Sequence, residues 1–302
     1  MERDGPFIAV DWGTTNRRAW RIAPGGAVEE ALADARGILE IPAGGFPGEV
    51  AFLRQRLGDL PVLMGGMIGS DRGWRAVPYV PCPADVSSIA AGIQWIDART
   101  GIIPGIAQER RDAPDVMRGE EVQIIGALAL GDLPRDALVC LPGTHAKWVR
   151  LVDGRIAGFA TWMTGELYAL IRDHSILAPQ LAGEDGAAHG SDAGPGFAAG
   201  VVASGAGDPL GQMFRIRAAA VLGAPMADAP GFASGLLIGA EVRAAMALMQ
   251  GEAPWLIGRG DLTARYAAAI AQVIGQAQDT RRVIDGDTAF RAGIGALLKE
   301  MS

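Results

Sequence analysis

Two stretches of this 302-residue chain are built alike. Phe7-Ile8-Ala9-Val10 is an apolar run that reads as a buried strand, and Asp11 sits where that strand emerges. Gly13-Thr14-Thr15-Asn16 is turn chemistry, and Arg18-Ala19-Trp20-Arg21-Ile22 alternates like a half-buried return strand. The pattern recurs further on. Ala137 to Leu141 is an apolar strand, Pro142-Gly143-Thr144-His145 a turn, and Lys147 to Val152 an alternating return strand that runs into the hairpin turn Asp153-Gly154. One strand–turn–strand hairpin is common in proteins that bind nothing. Its repetition is the constraint, because it splits the chain into two halves that open in the same way.

The chemistry of the two turns is shared as well. Backbone N–H groups and Thr hydroxyls can hold phosphate oxygens from two sides, so neither half needs a Walker-type lysine. Gly13, Thr14, Thr15, Gly143 and Thr144 are the phosphate-facing candidates. A carboxylate at a strand end beside such a turn suits a magnesium-bound phosphate, which makes Asp11 the metal-side candidate. His145 either orients a phosphate oxygen or packs on Trp148. Asn16 either bonds a substrate hydroxyl or closes its own turn.

Between and after the hairpins the periodicity predicts a third strand over 27–35, a helix over 47–57 and a strand at 61–64 entering Gly65-Gly66-Met67-Ile68-Gly69-Ser70. Residues 71–83 hold three prolines and two aromatics and read as an ordered irregular loop. A strand is expected near 100–104 and a helix over 120–130. From 165 the pattern turns helical, over 165–177, 193–203, 210–222 and 232–249. A strand at 255–257 then runs into Gly258-Arg259-Gly260, where the backbone of Gly258 and Gly260 lets a flat nucleotide base or sugar approach, and a helix to about 274 follows. A last strand at 282–284 precedes a closing helix.

Composition excludes several classes. With 27 Lys and Arg against 34 Asp and Glu, the net charge is −7 and no basic run is present, so nucleic acid is an unsuitable partner. The two cysteines, Cys82 and Cys140, form no metal-ligand pattern. The N-terminus is polar and no apolar run is expected to reach the length of a membrane span, so a cytoplasmic protein is expected. Nothing in these features encodes an oligomeric state.

Taken together, Ile8–Trp20, Gly65–Pro83, Val116–Gly126, Leu141–Val149, Met163–Leu167, Ser234–Val242, Leu262–Tyr266 and Gly286–Ile294 span nearly the whole chain. Their order and content resemble the 2-dehydro-3-deoxygalactonokinase family of the sugar kinase/Hsp70/actin superfamily. Two positions depart from the pattern: Arg17 stands where an apolar residue is expected, and residues 178–215 carry little similarity. The resemblance implies an α/β chain with two ribonuclease-H-like domains and a nucleotide cleft between them. It implies residues 1–118 as the sugar-acid domain with the first phosphate hairpin, and 119–302 as the nucleotide domain with the second.

The activity it implies is transfer of the ATP γ-phosphoryl group, with Mg²⁺, to 2-dehydro-3-deoxy-D-galactonate, giving the 6-phosphate in galactonate breakdown. Another 2-keto-3-deoxy acid, an exopolyphosphatase-like hydrolysis, or a non-catalytic nucleotide or sugar sensor are the alternatives. A sugar kinase needs a carboxylate base near the sugar. Gly119-Glu120-Glu121 occupies the place where related kinases carry it, so Glu120 is the first candidate and Glu121 the second. Acidic residues in a first helical turn also favour the helix dipole without any catalytic role. A substrate carboxylate asks for an arginine, Arg18 or Arg118, and Ser70, Trp74 and Tyr79 are further substrate-side candidates within the matching stretches.

Overall fold

The computed structural model describes residues 5–182, 193–249, 253–277 and 279–301. Along the chain the first elements are β1 (Phe7–Trp12), β2 (Arg17–Ile22), β3 (Val28–Asp34), α1 (Phe46–Leu57), β4 (Val62–Gly66), β5 (Val80–Pro81), α2 (Val86–Ala91), β6 (Gln94–Asp97), β7 (Thr100–Ile102), β8 (Ile106–Arg110), β9 (Ala113–Met117) and α3 (Glu120–Leu130). Then follow β10 (Ala137–Leu141), β11 (Ala146–Val152), β12 (Arg155–Trp162), α4 (Thr164–His174), α5 (Ala178–Leu181), α6 (Pro195–Ala203), α7 (Pro209–Val221), α8 (Ala229–Met249), β13 (Trp255–Gly258), α9 (Gly260–Ile274), β14 (Val283–Asp285) and α10 (Gly286–Glu300).

The echo seen in the hairpins extends to whole sheets. The first sheet runs β3-β2-β1-β4-β7-β6 and the second β12-β11-β10-β13-β14. Each therefore has the order third, second, first, fourth, fifth, with β6 added at one edge of the first. In the first sheet β1, β2 and β3 are antiparallel neighbours, while β4 and β7 continue parallel to β1. In the second, β13 lies parallel to β10. These are two ribonuclease-H-like sheets. In each, the hairpin turn and the end of the next parallel strand fall on the same sheet edge, where α/β folds place ligands.

The chain divides into two compact units. One comprises residues 1–136, 151–159 and 285–302, the other 137–150 and 160–284. This is not the expected division at 118/119, and the reason is packing. α3 and α10 touch backbone to backbone: a Cβ added at Gly126 would lie 1.7 Å from the Ala289 carbonyl oxygen, and one at Gly293 would lie 2.0 Å from that of Val122. Phe290 of α10 in turn packs against Trp20 and against Gly65 at the end of β4. Both helices therefore belong with the first sheet.

The core of the first unit gathers Ile8, Val10 and Trp12 of β1, Val62 and Met64 of β4, and Val50, Leu53 and Leu57 of α1. The second unit's core joins Cys140 and Trp148 of its sheet to Phe197, Ile238, Val242 and Tyr266 of its helices. There α6 and α8 also pack through glycine, since a Cβ at Gly235 would meet the Phe197 carbonyl oxygen at 2.0 Å. α8 is long and apolar enough, by length and composition, to cross a membrane, contrary to the expectation that no run reaches that length; 61 % of its most apolar window is buried inside the unit, as in a core helix. β8 and β9, with Pro114 in the second strand, form a hairpin that periodicity did not predict. Of the dissimilar stretch 178–215, residues 183–192 lie outside the described residues.

Candidate active site

In the first unit, the carboxyl ends of β1 and β4 meet the N-terminus of α3 at two glycines. Gly66 has φ +90° and Gly119 has φ +113°, conformations that suit glycine. A Cβ on Gly66 would stand 3.3 Å from Asp11 Oδ1, and one on Gly119 would stand 3.4 Å from the Gly66 Cα. Asp11 and the start of α3 are thereby brought to one place. Asp11 also pairs with Arg18 directly across the β1–β2 hairpin, and Arg18 reaches on to Asp287 in the first turn of α10. Asp287 was not among the sequence candidates; the signal was there in Gly286-Asp287-Thr288, an acid at a helix start.

The turn after β1 is held rigidly. The carbonyl oxygens of Gly13, Thr14 and Thr15 accept from the N–H groups of Ile38, Leu39 and Gly37 at 3.0, 3.3 and 3.2 Å. The Thr14 and Thr15 side chains remain exposed. Asn16 donates to Thr15 Oγ1 at 3.0 Å, the turn-closing alternative. Arg17, at a position expected to be apolar, is 1 % exposed. Its guanidinium donates to both oxygens of Asp34 and to Glu49 at 2.7 Å, and lies 5.0 Å over the Trp12 ring. A buried charge is tolerated where it is paired and hydrogen-bonded, and here all three guanidinium nitrogens donate.

The two glutamates have separate surroundings. Glu121 is fully buried, and both of its oxygens accept from the Gly119 N–H at 2.8 and 2.7 Å. Burial, and then the neighbouring Glu120 charge, push its pKa up to about 8. It is a mostly protonated acid at neutral pH that caps its own helix. Glu120 is half-buried and accepts from the Arg118 N–H at 3.1 Å.

Arg118 itself stands one residue before this cap. Its Nη2 donates to the Val77 carbonyl oxygen at 2.8 Å, and its guanidinium lies 4.3 Å over the Tyr79 ring. Its Nε and Nη1 are buried and have no hydrogen-bond partner. Glycine at 69 provides the space, because a Cβ there would lie 2.7 Å from Nη1. Of the two arginine candidates, Arg18 is committed to protein carboxylates and Arg118 has donors to offer. Tyr79 joins Arg118, whereas Ser70 donates to the Met67 carbonyl oxygen at 2.7 Å and Trp74 stacks on Phe46 at 6.2 Å, both serving the local fold.

In the second unit the Gly143-Thr144 turn borders a cavity of about 190 Å³, with Thr164 and Tyr168 of α4, Ser234 of α8, and Arg265 and Tyr266 of α9 in its wall. The start of α4 presses on the turn. A Cβ at Gly165 would lie 2.8 Å from both Gly143 O and Thr144 Cα, and the Glu166 N–H donates to Thr144 O at 3.1 Å. His145 is exposed and bonds Glu166 through Nε2 rather than packing on Trp148, which is buried. Gly258 ends β13 close to Pro142, and Thr263 Oγ1 occupies the place of its side chain, 2.4 Å from an ideal Cβ. Gly260 opens α9 with φ +61°. The four glycine and threonine candidates of this half thus share one sheet edge, except that Gly260 is displaced into the helix start. Sequence reasoning missed Arg265, buried in the cavity wall, and Glu241 of α8; a lone acid in the apolar run Leu236 to Val242 was the available signal.

Relatives carry the same organisation. Residues 11–297 match the family model described as 2-keto-3-deoxy-galactonokinase. The probable 2-dehydro-3-deoxygalactonokinase DgoK1 of Rhizobium meliloti (strain 1021) is 39 % identical over 309 residues, covering 98 % of this chain and 97 % of that one. The 2-dehydro-3-deoxygalactonokinase of Escherichia coli (strain K12) is 38 % identical over 299 residues, covering 96 % and 97 %. A crystal structure assigned as a 2-dehydro-3-deoxygalactonokinase protein from Sinorhizobium meliloti superposes with a TM-score of 0.88 at 36 % identity, over 98 % of this chain and 99 % of that one. With a family model matched over nearly its full length, on a duplicated sheet that opens each time with a glycine–threonine hairpin, this chain belongs to the 2-keto-3-deoxy-galactonokinase family.

Proposed function

We propose that the protein phosphorylates 2-dehydro-3-deoxy-D-galactonate at its 6-hydroxyl, using ATP. The observation that carries the reading is Arg118: a guanidinium with two buried nitrogens lacking an acceptor, two residues before a carboxylate pair. A buried donor left unpaired costs roughly 1–3 kcal/mol, and a sugar-acid carboxylate would offset that cost. A guanidinium with open donors would serve a phosphate chain as well as a carboxylate, so it is the full-length match to named kinases that sets the hydrolase alternative behind.

In this reading Arg118 and Tyr79 anchor the substrate carboxylate, and Glu120 takes the proton of the attacking hydroxyl. Neutral Glu121 holds the Gly119 N–H and so fixes where Glu120 points. The Gly13-Thr14-Thr15 and Gly143-Thr144 turns receive phosphate oxygens, with His145 beside the second, and Gly258 and Gly260 leave the backbone open to the nucleoside. Asp11 would hold Mg²⁺ together with phosphate oxygens and water. The residues fit an ion held mainly by phosphate oxygens and water: Asp11 pairs with Arg18 through Oδ2, its Oδ1 borders the space left by the missing Gly66 side chain, and Mg²⁺ needs only one or two protein carboxylates. The ion neutralises charge developing on the transferring phosphoryl group.

The test is ADP release measured across a panel of sugar acids with ATP and Mg²⁺. Turnover should be highest with 2-dehydro-3-deoxy-D-galactonate, and lower with the epimer derived from gluconate. ADP release that ignores the sugar acid would remove the reading.

A further inference from the structure

Among the described residues of the second unit, Glu241 is the most deeply placed acid, 2 % exposed on α8. It has three neutral partners. Trp148 Nε1 donates to one oxygen at 2.8 Å, the Tyr266 hydroxyl donates to the other at 2.7 Å, and the Thr164 side chain bonds it as well. Burial raises its pKa and these three bonds oppose the rise. An acid buried without hydrogen bonds would be strongly destabilising. Here it is satisfied, and so are its partners.

The position of those partners is the informative part. Trp148 lies on β11, the return strand of the Gly143-Thr144 turn. Thr164 opens α4, whose next two residues press on that turn through the Gly165 backbone and the Glu166 N–H. Tyr266 lies on α9, the helix that Gly260 opens. Thr164 and Tyr266 also line the cavity beside Gly143 and Thr144. One carboxylate therefore ties together a residue from each of the three elements that frame the turn and its cavity. Leucine or methionine at 241 would fill the volume but leave the Trp148 indole N–H unpaired and the Tyr266 and Thr164 hydroxyls with only each other. Glutamine would turn an NH₂ group, a donor, toward one of the donors. Only an acceptor with two oxygens satisfies the set.

We propose that Glu241 is the positioning residue of the second anion turn, setting the spacing between β11, α4 and α9 and thereby the affinity for nucleotide. This rests on the reading that the Gly143-Thr144 turn and its cavity receive the nucleotide. A residue that merely stabilised the unit would lower its melting temperature and leave the ADP affinity of the folded protein unchanged. A positioning role acts on the nucleotide alone.

The experiment uses the whole chain and the probe ADP. Binding is measured by calorimetry for wild type, Glu241→Gln and Tyr266→Phe, and amide and indole resonances are followed by ¹⁵N NMR. In wild type, ADP should shift the Gly143 and Thr144 amides and the Trp148 indole N–H. Glu241→Gln should weaken ADP binding about tenfold, and Tyr266→Phe, which loses one bond and keeps its shape, about threefold. Sugar-acid affinity should stay within about twofold of wild type in both. Unchanged ADP affinity in either folded variant, with the wild-type resonances responding, overturns the positioning role while leaving the nucleotide reading intact. ADP binding that moves none of those resonances overturns the nucleotide reading of this turn, and the proposal with it.

Discussion

At the residue scale the two adjacent glutamates of α3 show how one position apart means a different chemistry. Glu121 is enclosed and held at a pKa of about 8, above its ordinary value of 4.5. Between those values the folded chain binds a proton that the unfolded chain has released, so stability falls as pH rises from about 4.5 to 8. Glu121→Gln removes that proton from the balance. Stabilities from denaturant melts at pH 5 and pH 8 should therefore differ less in the variant than in wild type. The gap between the two proteins should be about 1.4 kcal/mol for each tenfold by which folding tightens the hold of Glu121 on its proton. Equal slopes for both proteins would show that the buried acid is already ionised. Arg118→Ala should raise the sugar-acid KM at least about tenfold and leave the ATP KM near wild type, as removal of a substrate anchor does. A KM unchanged for the acid would move the anchor elsewhere. Neither role was decidable from residues 118–121 alone. Sequence placed the candidates, but which arginine keeps open donors depends on Gly69, Val77 and Tyr79, roughly forty to fifty residues away.

At the scale of elements, the hairpins, the helices α1, α3, α4 and α6 to α10, and the strands ending in glycine were legible because each carries strong periodicity or turn chemistry. β8 and β9 were not, since Pro114 and the polar Gln108-Glu109-Arg110 run hide a hairpin whose stability comes from pairing. Arg17 was misjudged for a related reason. Its buried charge is legible only once Asp34 and Glu49 are seen to converge on it. Arg17→Met should destabilise the first unit by about 3–5 kcal/mol, because two acids lose their buried cation. A thermal melt within a degree of wild type would contradict that. The α3–α10 contact yields a sharper case. At Gly126 an added methyl would lie 1.7 Å from a carbonyl oxygen, so Gly126→Ala must push the helices apart. Because α3 carries Glu120 and α10 carries Asp287, turnover should fall more than stability does. A variant with lowered Tm and full turnover would show that the two helices tolerate separation without cost to the site.

At the scale of the whole molecule, the duplication could be inferred from two short hairpins because both begin a sheet of the same strand order. The boundary between the compact units could not. Helices α3 and α10 follow residue 118 in sequence yet pack on the first sheet through small residues, and a glycine contact leaves no hydrophobic periodicity to read. Family membership then follows from the match over residues 11–297, and the chemistry proposed for the chain comes down to one proton. The most direct measurement compares wild type with Glu120→Gln, using ATP, Mg²⁺ and 2-dehydro-3-deoxy-D-galactonate at saturation, with substrate affinities by calorimetry and a thermal melt for folding. If Glu120 accepts the hydroxyl proton, kcat should fall by roughly 10²–10⁴-fold while both affinities stay within about threefold. A folded Glu120→Gln variant that turns over at the wild-type rate would contradict the account.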